Sequence, residues 1–336
     1  MSTSEPTNQR TTPSGVSRYA FLLLSRFSLI AFSSAIEALR LANRTSGQSL
    51  YAWDVISLTG DPVISSNGLK IDVSGDVDSA TSMDALILCG GVDIHRAATP
   101  ELVSALQRIS KQRRVRLGAL DTGSYILAKA GLLSGYRCTI HWEHLAAMRE
   151  EFTDLVVSPE LFELDRDRFT SSGGTAPIDM MLNIIAREHG SDLSTAIADV
   201  LICDRIRGRH DRQRVPLRSR LGGAQPKLLE AVALMEANVE EPMSLNEIAE
   251  HISLSRRQLE RLFQKHLKCV PTRYYLELRL ERARQLLLQT SMSIVDVALA
   301  SGFVSPPHFS KCYREYFGVP PRDERRRQRV LDTHEP

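Results

Sequence analysis

A chain of 336 residues with 43% hydrophobic and 24% charged side chains has the composition of a globular protein of about two domains. Its net charge of only +2 excludes nucleic-acid binding through overall basicity, so the distribution of charge must carry any such role. Cys89, Cys138, Cys203, Cys269 and Cys312 are dispersed without a C-x-x-C pair, which fits a reducing cytoplasm better than a disulfide framework. No metal site and no cofactor are expected. No apolar run reaches the ~18 residues of a membrane span, so a cytoplasmic protein with no membrane partner is expected. Residues 1–17 are polar, without the apolar core of a signal peptide, and read as a disordered tail.

From residue 19 to about 190 the pattern is α/β. Residues 19–24 suit a strand, and 32–43 a helix with Ile36, Leu39 and Asn43 on one side. A strand at 53–58 follows, then Asn67-Gly68, a hairpin turn between two β-like runs. Residues 85–88 form a buried-type strand running into Cys89-Gly90-Gly91, and 100–112 a helix with Pro100 in its first turn. The apolar run 115–120 is another strand, after which Tyr125, Ala128 and Leu132 recur at helical spacing. The junction is Asp121-Thr122-Gly123, a sharp strand-to-helix elbow that lifts one side chain above the sheet. That side chain is a carboxylate, neither thiol nor hydroxyl. The alternation predicts a doubly wound α/β domain over 18–203, with a mainly parallel sheet covered on both faces. Gly90, Gly91 and Asp121 then share the rim beyond the carboxyl ends of the strands, where such sheets bind ligands. A helix is expected over 193–207. Residues 204–223 are rich in Arg and lack an apolar stripe, so they read as a linker, either merely solvated or touching phosphate.

After residue 224 the sequence turns helical and repeats itself. MSLNEIAEHISLSRRQLERLFQKHLKCVP and MSIVDVALASGFVSPPHFSKCYREYFGVPP, beginning at Met243 and Met292, match almost term by term. Ser244 and Ser293 stand where N-caps belong, each with an acid three positions later. Ala249 and Ala298 are small where two helices would cross, and Gly302 suits a turn. A duplicated helix-turn-helix over 244–267 and 293–317, within a domain 224–329, explains the repeat. In the first unit Leu259, Leu262 and Phe263 make an apolar back; Arg256, Arg257, Gln258, Arg261, Gln264 and Lys265 are left for the major groove, where Arg reads guanine and Gln reads adenine. In the second, Phe309 and Tyr313 face inward, and Ser305, His308, Lys311 and Arg314 remain. Pro306-Pro307 remove amides from that helix start, which favours backbone over base contacts. Between the units Leu276, Leu280, Ala283 and Leu287 stripe one long helix, expected to pack both units together and to present two recognition helices to successive major grooves, ~34 Å apart. The basic run at 322–329 adds phosphate contacts, and 330–336 is a tail.

The C-terminal part, above all ASGFVSPPHFSKCYREYFGVPP, resembles the AraC/XylS family of transcription regulators. The N-terminal part resembles the PfpI-like, class I glutamine amidotransferase-like fold (flavodoxin-like α/β), on residues 31–43 with Glu37, LILCGG at 86–91, DTGSYILAKAGLLSGYRCTIHWEH at 121–144, and TSSGGTAPIDMML at 170–182. Together they resemble the GlxA-type subgroup, which implies a homodimer joined through the N-terminal domain, promoter DNA and RNA polymerase as partners, and a small-molecule effector. In PfpI-like enzymes the elbow carries a Cys with a nearby Glu and a following His. Glu37 matches the Glu and His141 the His, but Asp121 stands in the Cys position. A carboxylate is a poor substitute for a thiolate, so no catalytic residue is expected and the fold is read as a ligand sensor.

Glu37, Gly90, Gly91, Asp121, Tyr125, His141 and Trp142 are the expected ligand-binding residues. An acid among aromatics suits a quaternary ammonium group. The stretches around DTGSYILA and GYRCTIHWEH also look like activators of glycine betaine, dimethylglycine or carnitine catabolism. Arginine or another cationic amino acid is the alternative effector. Trp142 packed in the core, and Asp121 capping the following helix, are the structural alternatives. An amidase or glyoxalase fused to a DNA-binding module, and a repressor or architectural protein without effector, are the competing functions.

Overall fold

The computed structural model describes residues 15–112, 115–208, 211, 213 and 225–325. The chain separates into two compact units, Met1–Leu145 with Phe152–Gln213, and Ala146–Glu151 with Arg214–Pro336.

The first unit is built on a six-stranded sheet in the order β2-β1-β5-β6-β10-β9. Its strands are β1 (Ser17–Leu23), β2 (Tyr51–Ile56), β5 (Ala85–Cys89), β6 (Arg116–Leu120), β9 (Phe162–Asp165) and β10 (Arg168–Ser171). All neighbours pair in parallel except β9, which runs antiparallel to β10 at the edge. β3 (Val63–Ile64) and β4 (Lys70–Ile71) form the hairpin foreseen at Asn67-Gly68, with Gly68 at φ +84°. β7 (Arg137–Cys138) and β8 (Val156–Val157) make a separate parallel pair. The helices are α1 (Leu29–Ser46), α2 (Ile94–Ala97), α3 (Pro100–Gln112), α4 (Gly123–Lys129), α6 (Ala176–His189) and α7 (Ser191–Val200); α5 (Leu145–Glu151), although it falls between them in the chain, groups with the second unit from Ala146 on. The central strands β5 and β6 are almost wholly buried, which is why they read as continuous apolar runs rather than alternations.

The helix expected over 193–207 stops at Val200. Ile202 turns left-handed at φ +55°, and the chain beyond it finds its hydrogen bonds elsewhere. The Arg207 amide donates to Asp179, and the Arg207 carbonyl accepts from Asn183. Leu161 donates to the Asp211 carbonyl, and the Gln213 amide nitrogen reaches Thr139 Oγ1 and the carbonyls of Ile140 and Glu160. Thus the described part of the Arg-rich segment lies against the α/β unit. The other linker residues, the 1–14 part of the tail, and residues 326–336 fall outside the described residues.

The second unit holds α8 (Pro226–Ala237), α9 (Leu245–His251), α10 (Arg256–Leu267), α11 (Pro271–Gln289), α12 (Ile294–Ala300) and α13 (Pro306–Phe317). Leu259 and Phe263 of α10 bury with Ile248 and Ala249 of α9; Phe309 and Tyr313 of α13 bury with Val297 and Ala298 of α12. Each half therefore has its own core. The striped helix α11 serves both, but not through one stripe. Leu280, Ala283 and Leu287 are buried in the second core, with Leu276 packed against it, whereas Tyr275 and Leu278 serve the first.

Candidate functional site

The elbow between β6 and α4 is tight because glycine permits it. A Cβ on Gly90 would lie 2.2 Å from the Gly123 nitrogen, and one on Gly91 would lie 2.1 Å from the Arg26 carbonyl oxygen. Gly90 donates to the Leu120 carbonyl, and Thr122 Oγ1 donates to the Gly91 carbonyl at 2.7 Å. The rim formed by 89–91 and 121–123 is thus as expected. Gly90 and Gly91, however, are buried and filled by protein backbone, so they shape the elbow from behind rather than face a ligand.

Asp121 sits at φ +60°, a conformation costly for a residue with a side chain and held here by its surroundings. Its amide donates to the Ser171 carbonyl, and its own carbonyl accepts from the His141 amide. Burial pushes its carboxyl from the usual 3.8 up to about 6; the positive charge of His141, the Ser28 hydroxyl and the Thr122 amide pull the other way. Thr122, not Asp121, occupies the N-cap of α4. Gly173 closes over the carboxylate: a Cβ there would stand 2.5 Å from Asp121 Oδ2.

On the other side of Gly173 opens a cavity of about 180 Å³, lined by His141, Trp142, Leu161, the 172–176 turn that opens α6, Arg207 and Gln213; Asp121 lies behind Gly173 and His141 and is not itself part of the lining. It is smaller than the ~300–1,000 Å³ of drug-sized sites and suits a small metabolite. Trp142 is half-buried on its wall, not sunk in the core, and its ring lies 5.7 Å from that of His141.

Of the expected ligand-binding residues only His141 and Trp142 line the cavity, and Glu37 and Tyr125 lie well away from it. Glu37 is in the third turn of α1, about 12 Å along the axis from Leu29 at 1.5 Å per residue, half-exposed and chelated by Arg40 at 2.6–3.0 Å. Ser28, just before α1, contacts Asp121 in its stead. Tyr125 is buried on the far side of the elbow, its ring 4.4 Å from His95 and 5.7 Å from Phe152. In that cluster burial, with the charges of His141 and His95, drives the His144 imidazole down to about 3, so it stays neutral. The sequence reading missed Ser28, Arg207 and Gln213. The SGGTAP turn forms one wall, and its sequence signal is Gly-Gly before a Pro-led helix, which marks a backbone that something approaches closely.

The helical unit presents the other site. Among the described residues, Arg257, Arg261, Gln264 and Lys265 of α10 are exposed and have no hydrogen-bond or ion-pair partner. Arg256 is paired with Glu260, and Gln258 is tied into a capping box with Ser255, its Oε1 accepting the Ser255 amide at 2.8 Å. On α13, Ser305 is the N-cap, His308 lies 3.4 Å from the Cys312 sulfur, Lys311 faces Glu315 at 4.0 Å, and Arg314 is exposed.

An α/β domain with an elbow but no thiol, carried by a chain that ends in paired helix-turn-helix units, defines a DNA-binding transcription regulator. The helix-turn-helix domain family matches residues 248–327, and the DJ-1/PfpI family matches residues 17–187. The chain belongs to the AraC family, in the group whose helix-turn-helix domain is joined to a DJ-1/PfpI domain. It is 60% identical to the HTH-type transcriptional regulator GbdR of Pseudomonas aeruginosa strain UCBPP-PA14, over 92% of this chain and 84% of the relative. It is 45% identical to the HTH-type transcriptional regulator CdhR of Pseudomonas aeruginosa, over 91% and 90%. A crystal structure of an AraC family transcriptional regulator from Pseudomonas putida aligns at 30% identity and TM-score 0.50, covering 55% of this chain and 99% of that one.

Proposed function

We propose that the cavity beside Asp121 binds a small methylated-ammonium compound such as glycine betaine, dimethylglycine or carnitine, and that its occupation switches on transcription of genes that degrade such compounds. The observation that carries this reading is an acid in the nucleophile position, packed directly behind Gly173 and His141, two residues of the cavity wall that Trp142 completes. A carboxylate and an indole face attract a cation too diffuse to be hydrogen-bonded. The elbow offers no thiol, burial pushes the Cys89 thiol up, and that of Cys138 rises to about 12, so neither of these buried thiols supports amidase or glyoxalase chemistry. The protein works as a dimer in the cytoplasm, and its helix-turn-helix pair brings RNA polymerase to the promoter. Effector acts by favouring one of two arrangements that differ in affinity for it.

Thermal-shift and calorimetric titration with glycine betaine, dimethylglycine, carnitine, choline and arginine test this. At 100 times its dissociation constant a ligand stabilises the fold by ~2.7 kcal/mol, an easily read shift. Binding should be lost in Asp121→Asn. It should also weaken as pH falls through about 6, where the Asp121 carboxylate takes up a proton. Because the folded carboxyl is raised, its ionisation disfavours folding, and stability falls as pH rises from about 4 to 6. Asp121→Asn removes that penalty, of order 3 kcal/mol, so it should melt no lower than the parent at pH 7. Binding of arginine alone, or turnover of methylglyoxal abolished by Asp121→Ala, would defeat the proposal.

A further inference from the structure

The cavity has a second, oppositely charged feature that the elbow chemistry leaves unused. Arg207 lines it together with His141 and Trp142. The guanidinium is fixed from one side: Nε donates to Asp179 Oδ2 at 2.9 Å and Nη2 to Thr175 Oγ1 at 2.9 Å. Asp179 also accepts the Arg207 backbone amide at 2.7 Å. The Asp179 side chain is 6% exposed, whereas the Arg207 side chain is 34% exposed. A buried carboxylate that binds both the backbone and the side chain of one arginine holds its plane in place. Nη1 makes none of these bonds. The first turn of α6 lines the same cavity, and its dipole adds positive potential there.

We infer that Arg207 is the carboxylate-binding group of the effector site, so that the cavity takes a small zwitterion, with ammonium and carboxylate a few bonds apart, and rejects a plain cation. This deepens the proposed function and rests on the cavity being the effector site. A charge-assisted bond from a fixed guanidinium is the strong kind of contact for a carboxylate. A hydroxyl in place of the carboxylate leaves the arginine unmatched.

The test is calorimetric titration of the full-length protein with four probes of nearly one shape: glycine betaine, choline, and their uncharged-carbon analogues 3,3-dimethylbutanoate and 3,3-dimethylbutanol. Glycine betaine should bind at least ~10-fold more tightly than choline, the value of a hydrogen bond to a charged group. Arg207→Gln should bring glycine betaine to the level of choline while leaving choline unchanged, whereas Asp121→Asn should weaken both. Arg207→Gln strands the buried Asp179 charge, so Asp179→Asn/Arg207→Gln is titrated beside it, and far-ultraviolet melts show that each variant folds. Equal binding of glycine betaine and choline, or equal weakening of both by the Arg207 variants, overturns the carboxylate site and leaves the methylated-ammonium reading intact. Binding of 3,3-dimethylbutanoate but neither ammonium compound, lost on Arg207→Gln, keeps the carboxylate site and overturns that reading. Binding of none of the four overturns both.

Discussion

The first helix-turn-helix unit turns on Ser253 and the second on Gly302, at matching positions of the repeat. Both backbones are left-handed there, φ +56° and φ +75°. Ser253 is exposed, whereas a Cβ on Gly302 would stand 2.4 Å from the Val239 carbonyl oxygen and 2.7 Å from Pro242 Cγ. The second turn is also braced from α11: Arg279 donates to the carbonyls of Ser301 and Gly302, and its guanidinium lies 4.1 Å from the Phe303 ring centre. The recognition helices differ in the other direction. α10 carries Arg257, Arg261, Gln264 and Lys265 without partners, while on α13 Ser305 caps the proline-led start, His308 and Lys311 face neighbours, and Arg314 is exposed. The first unit has an exposed turn and more unpaired polar side chains; the second has a braced turn and fewer. That difference suggests a test: whether the first unit reads bases and the second anchors on phosphate.

The largest effect is expected at the turns. Gly302→Ala adds left-handed strain of ~1–2 kcal/mol and overpacking of ~1–3 kcal/mol, so it should lower the stability of the helical unit by about 3 kcal/mol. Ser253→Gly relieves strain but loosens the unfolded chain and should stay within ~0.5 kcal/mol. Urea titration of both variants measures the contrast, and equal losses would mean the turns are equivalent after all.

Arg261→Ala and Arg257→Ala come next. If α10 reads bases, each should cost ~1–3 kcal/mol on the preferred site and relax selectivity at a defined position. Fluorescence anisotropy over single-base variants of the site checks this; a uniform loss on every sequence would reduce these residues to phosphate contacts.

The repeat made this pairing legible before any coordinates, because capping serines, small crossing residues and apolar faces recur at a fixed offset. The elbow at Asp121 was legible for a similar reason: a buried strand and a helix meet at three residues. The differences between the copies were less visible. Ser244 and Glu247 close a full capping box, but in the second copy Asp296 is one methylene shorter, and the Ser293 hydroxyl donates to that carboxylate instead. The box at Ser255 and Gln258 went unread because Gln in a basic helix looked like a base reader. Arg207 was hidden because its position depends on Asp179, 28 residues away, a tertiary bond that local periodicity does not report. Glu37 was misplaced because residue type alone does not fix helix register, and Arg40 three positions on offered it a local partner.

Ser255→Ala should cost about 1 kcal/mol, a typical N-cap loss. Ser305→Ala should cost less. Its bond to the His308 amide is stretched to 3.4 Å, and Pro306 and Pro307 have no amides left to satisfy while presetting φ for the first turn. Melting of the two variants ranks them, and a larger loss at Ser305 would show that the proline start depends on its cap.

The smallest effect separates anchor from reader most cleanly. Lys311 is exposed and faces Glu315 at 4.0 Å, a surface pair worth ~0.3–0.5 kcal/mol at most. Such a pair is readily given up to a phosphate, which releases a counterion from DNA. Lys311→Ala should therefore leave base preference unchanged and weaken every sequence alike. The slope of log affinity against log salt should become shallower by ~0.9, one phosphate contact. Arg261→Ala should change preference at one base position and alter that slope little. If Lys311→Ala narrowed or shifted the preferred sequence, α13 would be a second reader, and the division of labour between the two copies would fail.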